Sequence, residues 1–66
     1  MFDYPQRIQA LRIERGRSVT EVAEEAGVRE VCVRGIEAGR YKPTFDLAIR
    51  IARALDATLD DITGMA

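Results

Sequence analysis

The chain has no histidine, a single cysteine and no excess of charge of either sign. Cys32 alone cannot form an intrachain disulfide, and without histidine the usual zinc ligand sets cannot be assembled, so neither a metal nor a cofactor is expected. Ten Lys and Arg stand against eleven Asp and Glu, a net charge of −1, so any attraction to nucleic acid has to come from local clustering. No apolar run approaches the roughly 20 residues that cross a bilayer, and the opening MFDYPQRIQA lacks a basic leader followed by an apolar stretch. A soluble, cytoplasmic chain without membrane contact is the expectation.

What is present is helical periodicity. Apolar residues recur at helical spacing and never alternate over the length of a strand, while turn residues punctuate the chain, so an all-α fold is predicted. With 66 residues the expectation is one domain spanning 1–66 with its core at 7–62. A domain of this length buries only about 60% of its unfolded surface, which makes a partner subunit a natural source of further stability.

Five helices fit the punctuation. PQRIQALRIER starts on Pro5, places Ile8, Leu11 and Arg12 on one side and ends at Gly16. In SVTEVAEEAG, Ser18 and Glu21 have the spacing of a capping box, which sets the second helix at Val19 to Ala26, with Gly27 supplying the positive φ that closes it. After a short turn to Val28 a third helix starts almost at once, runs to about Ala38 and is closed by Gly39. Thr44 caps a fourth, FDLAIRIARAL, with Phe45, Ala48, Ile51, Ala52 and Leu55 on its inner stripe. Thr58 and Asp61 repeat the capping logic for a last short helix whose apolar positions are Leu59 and Ile62.

The second and third helices, about 18–38, are separated by a short glycine turn, the layout of a helix-turn-helix. Two packed core helices would give the same outline, so the layout alone decides little. Winding the third helix at about 100° per residue puts Val33 and Ile36 inward with Cys32 beside them, and Glu30, Val31, Arg34, Gly35 and Ala38 outward. Val28, Val33 and Ile36 would then face Val22 and Ala26, with the small Ala23 letting the two helices approach closely. From Arg29 to Lys42 there are four cations and two anions, whereas acids gather at Glu24 and Glu25 and at Asp56, Asp60 and Asp61, so a nearly neutral chain can carry one basic side.

From Ile8 to Ile62 the chain resembles the Cro/C1-type (XRE) helix-turn-helix family of phage, bacterial and archaeal regulators, and in particular its smallest members. IQALRIERG is similar to that family's first helix, SVTEVAEEAGV to its second, VRGIEAGRYKPT to its third helix and following loop, and LAIRIARALDATLDDI to its closing pair. The resemblance implies a compact five-helix, lambda-repressor-like fold and a sequence-specific transcriptional regulator of double-stranded DNA, with a recognition helix at about 29–38 in the major groove. It implies base contacts from Arg29, Glu30, Val31 and Arg34: Arg34 to guanine, Glu30 to the amino group of cytosine, Val31 to a thymine methyl, Arg29 to base or phosphate. Phosphates would be held by Arg17, Ser18, Arg40 and Lys42, with the Tyr41 hydroxyl as a further donor. Arg12 and Glu37 take the positions of a structural ion pair.

A homodimer on a palindromic operator is implied as well, and Leu59, Ile62 and Met65, with Phe2 and Tyr4, are the candidates for its interface. The chain departs from the family pattern at Val19, where a glutamine usually braces the reading helix, and at Ala38, where an asparagine often meets phosphate. The alternative function is a protein-interaction or antitoxin-like module of the same fold, using the apolar VCV surface. An enzyme is not expected, because no nucleophile with a base and no phosphate-cradling glycine loop is present. No small-molecule ligand is indicated.

Overall fold

A computed structural model describes residues 4–40 and 42–63. Among these, five α-helices follow one another: α1 Tyr4–Glu14, α2 Val19–Ala26, α3 Glu30–Glu37, α4 Phe45–Ala54 and α5 Leu59–Thr63. No helix among the described residues is long and apolar enough to cross a membrane.

The helix ends are written in short-range hydrogen bonds. The Ser18 hydroxyl accepts from the Glu21 amide at 3.0 Å and the Glu21 carboxylate accepts from the Ser18 amide at 2.8 Å, which satisfies two of the donors a helix start leaves open. Thr58 and Asp61 make the same exchange at 3.2 and 3.0 Å. Thr44 caps α4 by accepting from Leu47 at 3.1 Å. Gly27 closes α2 at φ 73°, and its amide reaches back to Ala23 and Glu24. The turn after α4 has no glycine: Asp56 takes the left-handed conformation at φ 57°. A short polar side chain tolerates that region better than a bulky one.

Ile8, Val22, Val33, Ile36, Ile51, Leu55 and Ile62 are fully buried and form the centre of the core. α2 packs on both α3 and α4, α1 on α3 and α5, and α4 on α5, so every helix buries one side against at least one other. This places α2 and α3 together at one face with α1 beside α3.

Three expectations are corrected. Phe45 does not belong to the inner stripe of α4 but is 71% exposed, because it stands at the first position of the helix, where its side chain leans back over the preceding loop. Ile62 is 1% exposed and closes the core of the protomer, so it is not available to a second copy. Gly35 is buried rather than outward. Phe2, Tyr41 and Met65 lie outside the described residues.

Candidate nucleic-acid interface

The outward face of α3 is built by the alternation of its sequence between two duties. Val33 and Ile36 are fully buried, Cys32 is half-buried against the core, and Val31 is left 62% exposed. Arg34 is exposed on the same side as Val31, with 63% of its side chain open. A shallow depression of about 440 Å³ lies alongside, lined by Gln9, Val19, Val31, Arg34, Ala38 and Arg40 among others. Gln9 was not singled out in the sequence, since nothing local in α1 reveals that it will stand beside α3.

α3 is held at both ends. At its C-terminal end Arg12 donates from Nε and Nη2 to the two oxygens of Glu37 at 2.7 and 3.0 Å, and from Nη1 to the Arg17 carbonyl at 3.1 Å. The two side chains are only 15% and 8% exposed, so this bidentate pair is largely removed from water. The Glu37 carboxylate holds the Arg12 guanidinium above its ordinary pKa, an effect only partly opposed by burial. At the N-terminal end the Thr20 hydroxyl of α2 donates to Glu30 at 2.8 Å. Glu30 in turn accepts from Arg34 Nε at 3.2 Å and Nη2 at 2.6 Å. Arg34 first, and Thr20 second, hold the Glu30 carboxyl below the usual carboxylate range.

Charge is distributed accordingly. Glu30 is paired with Arg34 and Glu37 with Arg12, while among the described residues Arg29, Arg40 and Lys42 form no ion pair. Two of the three acids of α2 are also engaged, Glu21 with the Ser18 amide and Glu25 with Arg17 at 2.8 Å, while Glu24 is exposed. Arg29, Arg40 and Lys42 are exposed, as is Ser18 at the start of α2, and Arg40 lies beside Val31 and Arg34.

Arg17 has a different place from the phosphate contact expected of it. Its guanidinium donates to the Ala54 carbonyl at 2.7 Å as well as pairing with Glu25. Arg15 donates to the Leu55 carbonyl at 3.1 Å, so two cations from the α1–α2 turn cap the open, partially negative end of α4. The sequence carries no local sign of this, because the partners are 37 and 40 residues apart.

A separate apolar hollow of about 240 Å³ is lined by Tyr4, Pro43, Phe45, Ala48, Leu59 and Ile62 together with Lys42 and Thr44. Leu59 is half-buried there and Phe45 stands exposed at its rim.

Comparison with known proteins places this geometry. A helix-turn-helix family model matches residues 8–62. An uncharacterised HTH-type transcriptional regulator of Archaeoglobus fulgidus is 36% identical over 56 residues, covering 85% of this chain and 80% of the relative. One from Methanothermobacter thermautotrophicus is 46% identical over 48 residues, covering 73% and 70%. Among solved structures, the restriction-modification controller protein C.AhdI from Aeromonas hydrophila superposes with a TM-score of 0.86 at 27% identity over 89% of each chain. The N-terminal DNA binding domain of SinR from Bacillus subtilis gives 0.82 at 30% identity over 89% and 87%. The chain belongs to the Cro/C1-type (XRE) helix-turn-helix family of DNA-binding transcriptional regulators.

Proposed function

We propose that this chain is a single helix-turn-helix domain that binds one operator sequence in double-stranded DNA as a homodimer in the cytoplasm. The observation that carries the reading is the outward face of α3, where exposed Arg34 and Val31 lie beside Arg40, which has no carboxylate partner, while Glu30 and Glu37 of the same helix are paired. An α-helix fits the major groove, and its first turns reach base edges. Arg34 donates to guanine, Val31 packs on a thymine methyl, and Arg29 reaches a base or the adjacent phosphate. Ser18, Arg40 and Lys42 hold the sugar-phosphate backbone on either side and fix the register without reading sequence.

The second copy meets the first across the face of Phe45 and Leu59, whose apolar hollow and exposed aromatic rim suit a self-complementary contact. Two α3 helices set about 34 Å apart then enter successive major grooves of a palindromic site. Occupancy of the operator alters access of polymerase to the promoter.

Selection of bound duplexes from random DNA, followed by titration of the recovered site at several salt concentrations, tests the reading. A palindromic motif bound with a steep negative salt slope is expected. Recovery of no motif, with affinity insensitive to salt, would turn the assignment to a protein-interaction module of the same fold.

A further inference from the structure

Glu30 is gripped from two sides. The Thr20 hydroxyl on α2 occupies its Oε2 at 2.8 Å, and Arg34, one turn along α3, occupies its Oε1 with both Nε and Nη2 at 3.2 and 2.6 Å. Arg34 therefore meets Glu30 with the side of its guanidinium. The end of the group, Nη1 and the outer hydrogen of Nη2, is left unengaged by Glu30. That end is a two-donor fork, the shape that matches the O6 and N7 acceptors of guanine.

We propose that Thr20 and Glu30 are positioning residues that aim Arg34, and that this relay across α2 and α3 sets the discrimination at one base pair. The proposal rests on the reading of Arg34 as a base-contacting residue. Glu30 accordingly reads no cytosine, and its role is to hold the arginine. A long arginine side chain without such an anchor samples many rotamers and has phosphates within its reach, and a phosphate contact adds affinity for every sequence alike. In water an exposed pair of this kind contributes little. Inside the groove water is displaced, the same bonds strengthen, and a glutamate entering the field of the phosphates is tolerated only while a cation and a hydroxyl hold it.

The test compares Thr20→Val, which keeps the shape and removes the hydroxyl, with Thr20→Ser, which keeps the hydroxyl. Each is titrated on the selected operator and on operators with the Arg34 guanine replaced. Thr20→Val is expected to lower the ratio of the two affinities about three- to tenfold, with the salt slope and the affinity for unrelated DNA unchanged. Thr20→Ser is expected to retain the ratio of the parent chain. Glu30→Ala, which severs the relay at its centre, should reduce the ratio at least as much and raise affinity for unrelated DNA. Thr20 is exposed, and a melt of each variant checks that the fold is kept. If Arg34→Ala abolishes the ratio while Thr20→Val and Glu30→Ala leave it within twofold, the relay is wrong and the reading of Arg34 stands. If Arg34→Ala changes discrimination at no base pair, both fall.

Discussion

Arg12 joins α1 to the last residue of α3 by a two-pronged contact with Glu37, Nε to Oε2 at 2.7 Å and Nη2 to Oε1 at 3.0 Å. The pair ties the C-terminal end of α3 to α1 and lines the same depression as Val31 and Arg34. Because both side chains are largely buried, removing one leaves the other charged and without its partner. Glu37→Ala is expected to cost about 2 to 3 kcal/mol of stability. That is a large part of what a domain of this size has, about 3 to 5 kcal/mol. Urea denaturation of Glu37→Ala beside the double variant Arg12→Leu/Glu37→Leu makes the cause visible. The double variant should be closer to the parent than the single one, since no buried charge remains. Equal losses would show that the pair is solvated.

Arg17 separates two roles by one experiment. It donates to the end of α4 at Ala54, so Arg17→Ala should lower stability by about 1 to 2 kcal/mol. The slope of DNA affinity against salt should stay as it is, because a lost phosphate contact would reduce that slope by about one. For Lys42→Ala the opposite pattern is expected: unchanged melting and a shallower slope.

The pH response has a definite sign. The Ser18 amide holds Glu21 below the usual carboxylate range, the Thr58 amide does the same for Asp61, and Arg34 does so for Glu30. A carboxylate with a lowered pKa in the fold contributes stability above its unfolded pKa, and that stability is lost as pH falls through the folded value. Arg12 has the reverse sign, its raised pKa placing any loss far above neutral pH. With no histidine in the chain, Tm should be flat between about pH 5.5 and 7 and fall below about pH 4.5. Glu21→Gln and Asp61→Asn should each shrink the acid loss. A step near pH 6.5 would contradict this.

Phe45 is 71% exposed at the rim of an apolar hollow. Phe45→Asp should weaken self-association at least tenfold, about 1.4 kcal/mol, in sedimentation equilibrium, while the dilute protomer keeps its melting temperature. A parent chain that stays monomeric at the highest concentrations, or a variant that associates as tightly, would rule out this face.

Helix starts and the glycine ends after α1, α2 and α3 could be read from local sequence because their chemistry is local. Ser18 with Glu21, Thr58 with Asp61, Thr44 and Gly27 each act within a turn of where they stand. The close of α4 was less legible, since Asp56 takes a conformation usually left to glycine. Periodicity placed Ile36 and Ile51 in the core but misdirected Phe45, which is exposed at the first position of α4, and Gly35, which is buried. The site shows the same division. Arg34 and Val31 face outward as the winding requires, but the engagement of Glu30 by Thr20 and of Arg17 by Ala54 depends on which helices meet, and no spacing within a helix encodes that.

The central claim is that α3 reads DNA through Arg34. Its most direct measurement is competition binding of the parent chain and Arg34→Ala to the selected operator and to variants substituted one base pair at a time. A loss of about 1 to 3 kcal/mol confined to one guanine per half-site, with discrimination elsewhere retained, is the predicted result. A uniform loss at every position, or no loss at any, would contradict it.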